Sequence, residues 1–170
     1  MLNLADIITD SIVDGPGIRT TIFSQGCPHH CPGCHNPSTW PFEGGTQMEE
    51  DTILQILRSN PLCKGVTFSG GEPFAQAEGF EILARSLKEN GYEVASYSGY
   101  TFEQLLNGTA AQKKLLESID ILIDGPFLLA QRSLDLSFRG SRNQRIIDVP
   151  ASLMAGEAVC VKAGRWTGEY

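Results

Sequence analysis

Between Arg19 and Ile123 the sequence changes its hydrophobic period repeatedly, and that alternation constrains the fold more than any other feature. Arg19-Thr20-Thr21-Ile22-Phe23-Ser24, Val66-Thr67-Phe68, Tyr92 to Tyr97 and Ile119 to Ile123 are short β-branched, aromatic or apolar runs of the strand-forming kind. Helical patterns lie between them. Ile53, Leu54, Ile56 and Leu57 fall largely on one side of a helix that a Thr46/Glu49 capping box would open. Phe80, Leu83, Ala84 and Leu87 form the i, i+3, i+4, i+7 stripe of a core-facing helix, which Asn90-Gly91 ends. Thr101 with Gln104 opens another helix, and Ala110 to Glu117 is helical again. The run from Ile119 is nearly all apolar, as a strand buried on both faces should be. Strand followed by helix at this spacing implies an α/β fold with a mostly parallel sheet. The chain has 170 residues, short of the ~250 of a full eight-unit barrel. The expectation is an open sheet or partial β/α barrel, in one domain over residues 1–170. Phe127 to Asp148 is polar and irregular, and Glu157 to Val161 reads as a late strand.

Composition narrows the function. A formal net charge of −7 argues against broad, sequence-independent nucleic-acid binding, which needs a basic surface. Apolar runs are short, such as Ile121-Leu122-Ile123, so no membrane span is expected. Met1 to Asp6 lacks the basic start and apolar stretch of a signal peptide, which points to the cytoplasm. Five cysteines are an odd number, and three crowd together. Without an export signal, that favours a metal or catalytic site over a disulfide framework.

The crowded cysteines are Cys27, Cys31 and Cys34, in Gly26-Cys27-Pro28-His29-His30-Cys31-Pro32-Gly33-Cys34-His35. The spacing is C-x3-C-x2-C directly after a strand, with no fourth cysteine nearby. Three thiolates on a four-iron cluster leave one iron for a substrate, which makes a redox catalytic site. Thiolates also bind zinc, and His29, His30 and His35 share the loop, so a Cys3His structural zinc site stands as the alternative. A second motif, Ser69-Gly70-Gly71-Glu72-Pro73, joins a strand to a helix. In parallel α/β folds ligands bind beyond the carboxyl ends of strands. Gly70 and Gly71 let backbone approach a ligand, and Glu72 can accept a hydrogen bond from a ligand ammonium group. A plain strand-to-helix turn is the simpler reading.

Taken together, the two motifs resemble the radical S-adenosylmethionine superfamily, which carries C-x3-C-x2-C after its first strand and Gly-Gly-Glu-Pro after its second. More narrowly, the chain is similar to the activating proteins of glycyl-radical enzymes, above all those serving anaerobic ribonucleoside-triphosphate reductase. Shared segments run through most of the chain. They include Asp14 to Arg19, Gly26 to Trp40, Tyr97-Ser98-Gly99-Tyr100-Thr101, Asp124-Gly125-Pro126-Phe127 and Phe138 to Gln144.

This resemblance implies a partial-barrel radical S-adenosylmethionine domain in which Cys27, Cys31 and Cys34 ligate a [4Fe-4S] cluster. S-adenosyl-L-methionine would chelate the fourth iron. Gly33, Cys34 and His35 would pass their backbone along it, and Gly70, Gly71 and Glu72 would contact its methionine part. Many superfamily members carry an aromatic residue before the third cysteine; here that position is Gly33, and His35 is the candidate for the missing flat surface. The implied reaction is reductive cleavage of S-adenosylmethionine, followed by hydrogen-atom removal from a glycine of the partner enzyme. The implied electron donor is a flavodoxin-like protein. An activator of pyruvate formate-lyase or another glycyl-radical enzyme is the alternative of the same class, and a zinc-binding protein-interaction module that of a different one. Asp14-Gly15-Pro16-Gly17 and Asp124-Gly125-Pro126 are turns that can also line the site mouth. Arg132, Arg139, Arg142 and Arg145 concentrate positive charge and are expected to dock the partner. Cys63 and Cys160 are expected to be buried, structural thiols.

Overall fold

The structure, a computed structural model, describes residues 1–167. Among these residues, seven strands form one open sheet. They are β1 (Leu2–Ser11), β2 (Arg19–Ser24), β3 (Thr46–Met48), β4 (Gly65–Gly70), β5 (Glu93–Tyr97), β6 (Ile121–Asp124) and β7 (Arg145–Asp148), in the order β3-β1-β2-β4-β5-β6-β7. β2, β4, β5 and β6 are parallel neighbours, while β1 and β7 pair antiparallel at the flanks. β3 is antiparallel to β1 and so runs with the central four, which makes the sheet mostly parallel as expected.

Most of the helices lie on the connections between parallel strands. α1 (Glu50–Arg58) precedes β4, α2 (Ala77–Glu89) joins β4 to β5, and α3 (Phe102–Leu106) and α4 (Ala110–Glu117) join β5 to β6. α5 (Val149–Ala155) follows β7, and α6 (Gly164–Thr167) closes the described chain. The predicted stripe on α2 is the core stripe: Phe80, Leu83, Ala84 and Leu87 are all wholly buried. They meet Ile22, Val66, Phe68, Val94 and Leu122 from one face of the sheet, together with residues of α1, α3, α4 and α5. Each of the Phe, Leu, Ile and Val side chains contributes roughly 1.5–3 kcal/mol by leaving water.

Strand residues of opposite parity face the other side. There Arg19 is buried at the amino ends of the strands. Its Nε donates to Thr67 Oγ1 at 2.9 Å, Nη1 to Glu93 Oε1 at 2.9 Å, and its guanidinium lies 5.2 Å from the Trp166 ring centroid. Ala95, Ile121, Ile123 and Ile146 complete this smaller core with Trp166. The amino end of the inner face is therefore plugged.

Several local expectations change. Thr46 does not cap α1: its backbone is committed to β3, opposite Leu4, and α1 begins after Glu49 without a side-chain cap. The capping box at Thr101 and Gln104 does form, and Thr109 with Gln112 forms a second. Glu157 to Val161 makes only a bridge, Cys160 to Ile147, beside β7. That bridge leaves Cys160 exposed, so only Cys63 is a buried structural thiol, within 3.4 Å of Thr20 Oγ1. No helix among the described residues is long and apolar enough to cross a membrane.

Candidate functional site

The carboxyl ends of β2, β4, β5 and β6 all open on one edge of the sheet. From β2 the chain runs into the cysteine loop. Two backbone bonds close the loop at its root: Gly26 N–H to Thr39 O at 2.7 Å and Cys27 N–H to Trp40 O at 3.0 Å. Gln25 Nε2 donates to Pro41 O at 2.7 Å and holds the return limb. Inside the loop, Gly33 sits at φ +78°, a conformation costly for residues with a β-carbon. Its neighbour Cys34 donates its N–H to Cys31 O at 3.0 Å. The three histidines have separate neighbours. His30 stacks on Trp40 with ring centroids 4.8 Å apart, His35 meets the edge of Phe127 at 5.3 Å, and His29 meets Tyr100 at 4.5 Å.

Backbone donors reach two of the three sulfurs, those of Cys27 and Cys34. Asn36 N–H donates to Cys34 Sγ at 3.4 Å. Burial pushes the Cys27 thiol pKa up, and the charges of Glu72 and Cys31 add to it; the N–H groups of His29 and His30 oppose this by favouring the thiolate. Among the described residues, no three His, Cys, Asp or Glu side chains gather around one point as a single ion requires. A four-iron cluster makes a different demand, since each thiolate takes its own iron. In donor type, and in the N–H groups aimed at sulfur, the loop fits such a cluster.

The Gly-Gly-Glu-Pro segment packs directly beneath. Gly71 N–H donates to Ser24 O at 2.7 Å and Glu72 N–H to Gly26 O at 2.8 Å, so this segment is tied to the root of the cysteine loop. The close backbone approach that two glycines permit is made here to the protein itself. A β-carbon on Gly71 would overlap the Gly26 carbonyl, and one on Gly70 would stand 2.7 Å from Ser24 N. The Glu72 side chain is buried and already supplied with donors from His29, Ser98, Gly99 and Phe74.

A cavity of about 600 Å³ opens beside the loop, within the ~300–1,000 Å³ of small-molecule sites. Of the predicted residues, Cys34, His35 and Gly70 line it. Gly33 instead backs onto Leu129 and Phe127, while Gly71 and Glu72 lie behind the wall. Asp14, Phe23, Tyr97, Phe127, Phe138 and Gln144 complete much of the lining. Tyr97 sits at the end of β5 and donates to Phe138 O at 2.7 Å; burial and the Asp14 charge push its pKa far up, so the phenol stays protonated. The turn at Asp14 does reach the site: its carboxylate accepts from Thr21 Oγ1 at 2.9 Å.

The arginine group divides. Arg132 and Arg139 line the cavity, and Arg139 Nη1 donates to Gln144 O at 3.1 Å. Arg142 is exposed and makes no ion pair among the described residues. Arg145 corrects the docking expectation. It is an internal clamp, donating to buried Asp124 at 2.6 Å and to Glu103 at 2.7 Å, since the buried Asp124 carboxylate requires a counter-charge.

Comparison with known proteins shows the kinship of the chain. A family described as a 4Fe-4S single cluster domain matches residues 13–147. The anaerobic ribonucleoside-triphosphate reductase-activating protein of Salmonella typhimurium is 36% identical over 141 residues, 78% of this chain and 90% of that one. Its counterpart in Vibrio cholerae is 37% identical over 143 residues, 79% and 90% of the two chains. The pyruvate formate-lyase-activating enzyme of Clostridium pasteurianum is 40% identical over 107 residues, 58% of this chain and 45% of that one. Among solved structures, QueE from Escherichia coli superimposes with a TM-score of 0.50 at 18% identity, over 59% of this chain and about half, 53%, of QueE. That likeness is one of fold.

Proposed function

We propose that this chain, which belongs to the family of anaerobic ribonucleoside-triphosphate reductase-activating proteins, is an iron–sulfur activase that generates a glycyl radical on such a reductase. One observation carries the reading: the loop that bears the three thiols lends Cys34 and His35 to the wall of a cavity of about 600 Å³, where Phe23, Gly70 and Tyr97 of the parallel strands β2, β4 and β5 also stand, while Cys27 and Cys31 lie outside that lining. Cys27, Cys31 and Cys34 would hold a [4Fe-4S] cluster, and the cavity would hold S-adenosylmethionine beside it. When bound, the pair supplies reductive cleavage of the sulfonium and, from it, the oxidising power to take a hydrogen atom from a glycine.

The chain's own residues position and shield. Cys34, His35 and Gly70 form the wall nearest the loop; Gly33 and Gly71 hold that wall in shape without side chains of their own. Phe23, Phe127 and Phe138 exclude water from the far side. Val13 and Leu134 stand at the mouth, 70% and 86% exposed, so a loop of a protein partner can enter. Residues 1–170 would act as a single domain in the cytoplasm, with a flavodoxin-like electron donor.

The test is anaerobic reconstitution, reduction with dithionite and detection of 5′-deoxyadenosine, followed by electron paramagnetic resonance of the reductase incubated with the product. A glycyl signal on the reductase supports the reading. The relative from Clostridium pasteurianum favours a second partner, pyruvate formate-lyase, and a signal on that enzyme alone would shift the assignment to it. Colourless protein with stoichiometric zinc and no sulfide would reject both in favour of a zinc module.

A further inference from the structure

Glu72 is the most heavily bonded side chain near the cysteine loop. Its Oε1 accepts from His29 Nε2 at 2.7 Å, Gly99 N–H at 2.7 Å and Ser98 Oγ at 3.0 Å. Its Oε2 accepts from Phe74 N–H at 3.1 Å and shares the Ser98 hydroxyl at 3.0 Å. The side chain is 1% exposed. A carboxylate offers about four lone-pair sites, and four donors occupy them. A ligand ammonium could reach it only by displacing one of these donors, at the cost of a buried unpaired group.

These donors come from three places. His29 belongs to the cysteine loop, midway between Cys27 and Cys31. Ser98 and Gly99 follow β5, and Phe74 opens the turn after β4. The surroundings are cut to fit the imidazole. A β-carbon on Gly99 would collide with the His29 ring, although Gly99 has no positive φ to require glycine. Tyr100 then closes on the ring edge.

We propose that His29 and Glu72 are positioning residues, a latch that fastens the cysteine loop to the carboxyl ends of β4 and β5 so that the cluster is retained. Glu72 serves the loop rather than the ammonium of the cofactor. This rests on the reading of the three cysteines as cluster ligands.

The test uses the full chain reconstituted anaerobically, with iron and sulfide counted over time and circular dichroism as a check on folding. His29→Phe keeps the ring edge on Tyr100 but removes the donor; cluster loss should speed up about tenfold, in line with outer-shell substitutions at metal sites. His29→Gln restores a donor and should recover most of the retention. Gly99→Ala, which keeps its own N–H for Glu72 but pushes the His29 ring away, should resemble His29→Phe. In whatever fraction of His29→Phe stays loaded, S-adenosylmethionine should still change the spectrum of the reduced cluster. The proposal is overturned if His29→Gln loses its cluster as fast as His29→Phe. It is equally overturned if Glu72→Gln keeps a wild-type cluster yet no longer responds to S-adenosylmethionine. Wild-type protein that takes up no iron and sulfide overturns the underlying reading as well, and that sample alone distinguishes the two failures.

Discussion

Gly71 lies against the carbonyl of Gly26 so closely that no side chain fits between them. The two residues belong to different motifs, and their contact brings the loop after β2 down onto the loop after β4. Gly71→Ala should therefore force the loops apart. We expect a loss of about 2 kcal/mol, typical of overpacking, measured by urea unfolding. Iron retention should fall with it.

The barrel's plugged end should set its acid stability. Burial pushes the Glu93 carboxyl up, but donation from Arg165 and Arg19 outweighs it, leaving the pKa below its ordinary 4.5. A carboxylate with a lowered folded value contributes its stability above the unfolded value and loses it as pH falls through the folded one. Unfolding free energy should accordingly hold above 4.5 and decline below it. Glu93→Gln should flatten that decline and cost about 3 kcal/mol at neutral pH, because Arg19 is left buried without its charge partner. Urea titrations at a series of pH values check both.

Cysteine substitutions should separate by place in the fold. Cys27→Ser, Cys31→Ser and Cys34→Ser should each lower retained iron by about tenfold or more, because an alcohol is a poor substitute for a thiolate. Cys160→Ser, at an exposed bridge beside β7, should leave iron and sulfide unchanged. Metal analysis after anaerobic reconstitution reads the difference.

Arg132 and Arg142 are the exposed arginines of the group with no ion pair among the described residues, and Arg142 alone of the two lies away from the cavity. Arg142→Glu should slow association with the reductase by about tenfold at low salt, as reversal of a rim charge does. The effect should fade as ionic strength rises. Cleavage of S-adenosylmethionine in the absence of the partner should not change. Equal loss of both activities would remove Arg142 from the docking surface.

The parts of this structure visible in the sequence are those fixed by local pattern. The α2 stripe, the Thr101 capping box and the β2–cysteine-loop junction each depend on residues a few positions apart. What escaped depends on distant partners. β1 is ten residues long, yet it buries only Leu2, Leu4 and Ser11 and is a strand because β2 and β3 flank it. β7 lies inside a polar stretch and is recruited by β6. The same distinction holds in the site. Cysteine spacing marks the loop, but the approach of Phe138, Arg139 and Gln144 to the cavity has no periodic signal, since the segment before β7 is irregular. Glu72 was noticeable as a carboxylate after two glycines, whereas its engagement with His29, 43 positions away, follows only from the fold.

The proposed latch also implies an order of biogenesis. Three of its donors, His29, Ser98 and Gly99, are separated by some seventy positions of chain, and synthesis proceeds from the amino terminus. A nascent polypeptide has all three thiols outside the ribosome long before β5 exists to receive them. Iron delivered at that stage would meet an unfastened loop, so the proposed latch implies that a cluster is retained only once the first hundred residues have emerged and paired.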